Sequence, residues 1–456
     1  MQFVNRQAEL AALEAWWEQP STGAALVCGR RRVGKTALVQ HFAETRRTVF
    51  HTGAGRTMAG ELNLLSRQAA AVSTGFRDLT ARPFVDWDDA LDALAECASA
   101  DPLLVVLDEF PELVGTSPAL PGMIRAFLDR AAGRSKLRLL LCGSAVRTMT
   151  ALQEHRAPMY GRFQINLQLQ PFGPIEAAQM LPRLPAADRA LVYGLVGGMP
   201  LYLSWWNESA SVRENLRRLA CRPGAPLLTE GQLVLATEVE AGEHPAAVLH
   251  AIASGRTRHH EIKEQLGTEP ARTLDRLLEL RLVERLVPVT ETARTRRRIY
   301  RLADNFLSLY LGLLSRYQAE IERGLGDSIL SVLIESLDDL LGPAYEQAFR
   351  DHLRSEAAAG RLGPDVVAVG RWWQDRPPVE VDAVVLAERN RRVVTVGEAK
   401  WARAVDARRL EAALKAKASW LVDDPSSVRY AICARERVTH ASSETLRVSA
   451  ADIFAV

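Results

Sequence analysis

Five cysteines stand in 456 residues, at positions 28, 97, 142, 221 and 433, and no two of them form a CxxC pair. That separation argues against a zinc site and against a disulfide framework, and it suits a reducing compartment. Long apolar runs are missing too: none approaches the ~20 residues that a membrane-spanning helix needs. The first residues, Met1-Gln2-Phe3-Val4-Asn5-Arg6-Gln7, turn polar at once and lack a signal-peptide pattern. The formal net charge is only +2. A nucleic-acid partner therefore cannot be argued from bulk charge and would need a local basic patch. There is no internal repeat and no low-complexity segment. These absences lead us to expect a soluble, cytoplasmic protein with no membrane partner.

What is present is an ordinary globular composition, 48% hydrophobic and 25% charged. The length exceeds one hydrophobic core, and about three domains are expected. Ala24–Cys28, Leu103–Leu107 and Leu137–Cys142 are continuous apolar runs, the last broken only by Arg138. Such runs fit strands covered on both faces, as in a parallel sheet. Helical patterns at Ala37–Glu44 and Ala90–Cys97 lie between them, which indicates an α/β unit. A mainly helical stretch follows from Pro174 to Thr237. Then His259–Leu266 and Pro270–Leu280 read as helices, with Val283–Val289 and Arg294–Leu302 as strands. That is the outline of a winged helix-turn-helix. From about Leu341, a helix at Tyr345–Leu353 precedes strand patterns at Val366–Trp373, Val379–Leu386 and Arg392–Glu398, and a helix at Arg408–Trp420.

Gly29-Arg30-Arg31-Arg32-Val33-Gly34-Lys35-Thr36 matches the phosphate-binding loop G-x-x-x-x-G-K-[ST] in full. An apolar strand precedes it and a helical pattern follows, the context the motif requires. The glycines let backbone N–H groups face phosphates, Lys35 neutralises the β- and γ-phosphates, and the Thr36 hydroxyl holds Mg²⁺. The helix start adds its positive end to the anion site. Leu104–Glu109 is a buried strand ending in two acids, read as Asp108 on magnesium and Glu109 on the attacking water. ATP and Mg²⁺ are the expected cofactors. Ser144, after the strand Leu139–Cys142, is placed to sense the γ-phosphate; a plain strand-ending turn is the alternative.

With these residues in view, the chain resembles the archaeal-type AAA+ ATPase family, related to the signalling STAND NTPases. The resemblance is carried by Phe3-Val4-Asn5-Arg6 with Glu9-Leu10, the phosphate loop, Leu107–Phe110, Cys142–Ser144, Met159–Arg162 and Gly197–Pro200. Asn5 departs from the family, where glycine is usual. The resemblance implies that Ser144 is the sensor and that Arg162 reaches a nucleotide phosphate, in its own or a neighbouring subunit. A surface arginine in a turn is the alternative for Arg162.

Arg294, Arg296, Arg297, Arg298 and Arg301 crowd the segment read as the wing. They could contact DNA phosphates. Against this, winged helices in multidomain ATPases often act as docking modules. The second helix also mixes Arg272 and Arg276 with Asp275 and Glu279.

Glu346 on a helix, Asp382 in an apolar strand, and Glu398 with Lys400 at a strand end form the last constellation. Strand alternation puts Glu398 and Lys400 on one face. Acids converging on Mg²⁺ or Mn²⁺ beside a lysine suit phosphodiester cleavage. This segment resembles the PD-(D/E)xK nuclease superfamily and the DUF234 domain of archaeal-type ATPases. The resemblance implies that Asp382 and Glu398 are metal ligands, Lys400 is the catalytic lysine and Glu346 is an accessory acid. Val381 stands where the superfamily often has proline. The plainer alternative is a salt bridge from Lys400 in a fold that no longer cuts. Trp372, Trp373 and Trp401 flank the site, as base-stacking or as core residues.

The class expected is α/β, with a P-loop NTPase core over 1–173, a helical lid over 174–240, a winged helix-turn-helix over 241–325 and a restriction-endonuclease-like domain over 326–456. The function expected is an ATPase acting on DNA, with a homo-oligomer or a protein partner. The alternative is an ATP-dependent switch that binds a protein through an inactive nuclease-like domain.

Overall fold

The computed structural model describes residues 3–20, 22–72, 78–238, 244–292 and 294–456. Met1–Gln2 and the expected boundary at 240–241 lie outside the described residues. The chain divides into two compact units, Met1–Pro171 and Phe172–Val456.

The first unit is built on five parallel strands: β1 (Gly23–Cys28), β2 (Thr48–Thr52), β3 (Leu103–Asp108), β4 (Leu137–Gly143) and β5 (Phe163–Gln168). Their order is β2-β3-β4-β1-β5. β1, β3 and β4 are buried along their whole length, as apolar runs with helices on both faces must be. Arg138 interrupts β4 at little cost because its guanidinium donates to the Trp17 carbonyl at 3.3 Å. The edge strand β5 alternates half-buried with exposed positions instead. The helix expected from Ala90 begins three residues earlier, at Trp87. Asp86 caps it by accepting from the Asp89 N–H at 2.8 Å.

The second unit opens with helices Pro174–Gln179, Ala186–Val196, Pro200–Ser204, Val212–Leu219 and Pro226–Glu238. Helices Pro245–Ala253, His259–Leu266 and Ala271–Glu279 follow, then an antiparallel pair, β6 (Val283–Leu286) and β7 (Ile299–Leu302). Both strands are shorter than the sequence suggests. Pro288 cannot donate to a ladder, and Arg297 folds onto Glu291, so the arginine-rich segment 294–298 is loop.

A mixed sheet closes the unit, in the order β14-β12-β10-β9-β8. Its strands are β8 (Val366–Asp375), β9 (Pro378–Ala387), β10 (Arg392–Lys400), β12 (Arg429–Ala434) and β14 (Leu446–Ser449). β11 (Ala404–Asp406) and β13 (Arg437–Thr439) pair separately. On one face the long helix Leu337–Ala358 packs Tyr345, Ala348, Phe349 and Leu353 against Ala383, Val385, Ala399 and Ala431. On the other, helix Ala407–Ala418 brings Leu414 onto Val384, Val396 and Ile432. Gly397 permits the close approach: a Cβ there would stand 3.0 Å from the Phe349 ring and 3.2 Å from the Ala431 carbonyl. That approach brings Glu346 within reach of the strands.

Candidate functional site

The loop after β1 curls back before the helix Lys35–Ala43, and Gly34 makes the turn with φ 92°. That left-handed conformation favours glycine. Lys35 is 6% exposed, and its ammonium donates to the Arg30 carbonyl at 2.9 Å. Burial lowers the pKa of this ammonium, against the opposing influence of Cys142, Glu109 and Asp108. Arg30 is buried, whereas Arg31 and Arg32 are exposed. Val33 is buried in the loop.

The Thr36 hydroxyl lies 3.1 Å from Asp108 Oδ2. Asp108 is the last residue of β3, but β3 does not border β1; β4 lies between them. Asp108 therefore reaches past the end of β4 to meet the loop. Glu109 follows in a left-handed conformation, φ 46° and ψ 46°, and its N–H donates to Asp108 Oδ1 at 3.0 Å. Ser144, just past β4, holds Glu109: its Oγ is 2.8 and 3.1 Å from the two carboxylate oxygens. Beneath them, burial and the neighbouring Asp108 push the Cys142 thiol well up.

Arg6 is a participant that its position in the sequence did not reveal. It is 4% exposed, and it donates to the Val33 carbonyl at 3.0 Å, to the Gln170 carbonyl at 2.7 Å and to Glu9 at 2.9 Å. It thus braces the phosphate loop. Asn5 and Arg6 adopt φ 64° and 65°, and asparagine is a residue that tolerates such values. Arg162 is not brought to this cluster. It precedes β5 at the edge where the strands begin, opposite the loop, and pairs with Asp129 at 2.9 Å.

In the second unit, carboxylate oxygens of Glu346, Glu380 and Asp382 all lie within 4.8 Å of one another. Glu380 was not foreseen; it stands two residues before Asp382 on β9, hence on the same face. Asp382 Oδ2 accepts from the Ala399 N–H at 2.9 Å. Burial, together with Glu346 and Glu398, pushes its carboxyl up to about 6. Arg350, 2% exposed, donates to the Asp382 carbonyl at 2.7 Å and stands 4.0 Å from Glu346. Burial lowers its guanidinium to about 10.

Glu398 is outside this 4.8 Å group, although it is near enough to Asp382 to raise that carboxyl's pKa. Its two oxygens are taken by Lys400 and by Lys417, each at 2.7 Å. Lys417 comes from helix Ala407–Ala418 and had no signal in the strand motif. Burial works against the Lys400 ammonium, but Glu398, together with Asp382 and Glu346, outweighs it and raises the pKa. Trp372 and Trp373 are buried. Trp401 donates to Asp338 at 3.0 Å and meets Tyr345 edge-on. Of the five arginines near β7, Arg294, Arg296 and Arg298 are exposed, Arg297 pairs with Glu291 and Arg301 with Glu284.

No helix among the described residues is long and apolar enough to cross a membrane. Residues 3–205 match the family model of an ATPase domain predominantly from Archaea. Residues 310–411 match DUF234, a family of archaeal and bacterial proteins of unknown function. An uncharacterized protein of Methanocaldococcus jannaschii is 24% identical over 403 residues, 88% of this chain and 87% of the relative. An uncharacterized ATP-binding protein of the same organism is 44% identical over 45 residues, 10% of this chain and 76% of that protein. A solved Walker-type ATPase of Pyrococcus abyssi shares the fold, at 19% identity and a TM-score of 0.51, covering 68% of this chain and 96% of its own. The chain thus joins an N-terminal ATPase domain of the predominantly archaeal family to a C-terminal DUF234 segment.

Proposed function

We propose that the chain binds and hydrolyses ATP at the loop Gly29–Thr36 and couples the nucleotide state to a nuclease-like C-terminal domain acting on DNA. The observation that carries the ATP reading is the approach of Thr36 and Asp108 to 3.1 Å. A hydroxyl and a carboxylate so placed are the oxygen donors that suit Mg²⁺. When bound, that ion neutralises charge on the β- and γ-phosphates. Lys35 leaves the Arg30 carbonyl for phosphate oxygens, and the loop amides hold the rest of the triphosphate. Glu109 orients the attacking water, and Ser144 fixes the angle of its carboxylate. On this reading 174–240 is a lid. Arg162, placed away from its own loop, would act on a neighbouring subunit of a homo-oligomer.

In the C-terminal domain, Glu346, Glu380 and Asp382 supply a hard-oxygen set that fits Mg²⁺ or Mn²⁺. Bound there, such an ion polarises a phosphodiester. Lys400 and Lys417, with Glu398 between them, place positive charge beside the set. The helices and strands of 241–325 act as a winged helix-turn-helix, and the exposed Arg294, Arg296 and Arg298 contact DNA phosphates. The test is to incubate the protein with Mg²⁺ or Mn²⁺ and DNA, comparing wild type with Asp382→Ala and Lys400→Ala. Cutting that both changes abolish supports the reading.

One observation favours a second reading. Glu398 is already satisfied by two ammonium groups, as in a fold retired from catalysis. The domain would then dock a protein partner under ATP control, and no metal or DNA would give cutting.

A further inference from the structure

A cavity of about 590 Å³ lies between the Thr257–Arg258 turn and the β8–β9 hairpin, with Arg258, Arg371, Trp373, Gln374, Asp375 and Glu380 in its lining. Backbone contacts fix its walls. The Tyr300 N–H donates to the Thr257 carbonyl at 2.7 Å, and the Val289 N–H to the Arg371 carbonyl at 2.9 Å. Arg297 donates to the Trp373 carbonyl at 3.1 Å. Within these walls Arg371 Nε and Gln374 Nε2 are buried donors with no hydrogen-bond acceptor among the described residues. A buried donor left unpaired is costly, so a side-chain shift that brings either donor to an acceptor is favoured. Arg258 already neutralises Asp375. Arg371 pairs through its other end with Glu380, which also belongs to the group Glu346–Glu380–Asp382.

We propose that this cavity is a phosphodiester subsite for a nucleic-acid strand, and that the Arg371–Glu380 pair links it to cation binding. The inference rests on reading Glu346, Glu380 and Asp382 as a divalent-cation site. Once Glu380 serves as a ligand, Arg371 loses its counter-charge. Its guanidinium then turns to phosphate oxygens, which its planar fork matches in two parallel bonds. Gln374 adds a neutral donor on the same wall. The exposed arginines 294, 296 and 298 extend the positive surface along the loop that Arg297 ties to Trp373.

The test uses the full chain and short fluorescein-labelled single-stranded oligonucleotides, one DNA and one RNA. Anisotropy is read in EDTA and in Ca²⁺, with Tb³⁺ luminescence as a separate measure of cation binding. Wild type should bind at least one oligonucleotide about tenfold more tightly with Ca²⁺, the scale of one charged hydrogen-bonded contact. Whichever strand shows the gain identifies the source of the phosphodiester. Arg371→Ala should lose that gain and keep its Tb³⁺ signal. Arg371→Lys, which keeps the charge but not the fork, should recover only part of the gain. Glu380→Gln should bind the strand equally in EDTA and Ca²⁺. An undiminished Ca²⁺ gain in Arg371→Ala, or no gain in a wild type that binds Tb³⁺, overturns the inference alone. A wild type whose Tb³⁺ signal is absent or unaffected by Asp382→Asn overturns the cation-site reading and the inference with it.

Discussion

Ser144 Oγ stands 2.8 Å from one carboxylate oxygen of Glu109 and 3.1 Å from the other. The pair joins the end of β4 to the residue after β3, so the two strand ends together set where the carboxylate points. Ser144→Ala should lower kcat for ATP hydrolysis about tenfold and leave ATP affinity within about twofold, because only orientation is lost. Ser144→Thr, which keeps the hydroxyl, should recover most of the rate. Steady-state kinetics with a separate nucleotide titration checks both.

Arg6 should matter more than a residue near a chain end usually does. Arg6→Ala leaves the Val33 and Gln170 carbonyls without this donor in a buried place. The expected loss is about 2–3 kcal/mol of stability. Because Val33 is part of the phosphate loop, ATP affinity should fall as well. Thermal unfolding with and without ATP separates the two effects.

The sequence made much of the first unit legible. The runs Ala24–Cys28, Leu103–Leu107 and Leu137–Cys142 became β1, β3 and β4, because burial on both faces leaves a continuous apolar signal. The phosphate loop was legible because its glycines and Lys35 stand at fixed spacing. Strand order was not: nothing local says that β4 lies between β1 and β3. Glu380 and Lys417 were missed for different reasons. Glu380 looks like an ordinary charge at a strand start, and Lys417 reaches Glu398 from a helix 19 residues downstream. Arg6 was noticed only as part of a motif, since its acceptors are 27 and 164 residues away.

Asp382 gives a pH dependence whose sign is fixed. Its carboxyl is pushed up to about 6 by burial, Glu346 and Glu398, from about 3.9 in an unfolded chain. The folded protein therefore holds this proton more readily than the unfolded one. Stability should fall as pH rises from about 4 to about 6, and the cost is complete above that range. In the presence of a chelator, Asp382→Asn should raise Tm more at pH 7 than at pH 4. Parallel wild-type and variant curves across that range would contradict the assignment.

Glu398 is 6% exposed and has two cationic partners. Lys417→Met alone should be tolerated, because Lys400 remains. Lys400→Met with Lys417→Met leaves a buried carboxylate unpaired and should cost about 2–3 kcal/mol, the low side for such a loss because Lys400 is nearly half exposed. Adding Glu398→Gln to the double variant should restore most of the stability. Chemical denaturation of the four proteins gives the result directly.

On the proposed reading the loop Gly29–Thr36 holds a triphosphate with Asp108 beside it. Calorimetric titration of ATP in the presence of Mg²⁺, run on wild type and Lys35→Ala, is the decisive measurement. Saturable binding by wild type, weakened about a hundredfold or more in Lys35→Ala, is the expected result. Absent binding in the wild type, or equal affinity in the two proteins, would contradict it.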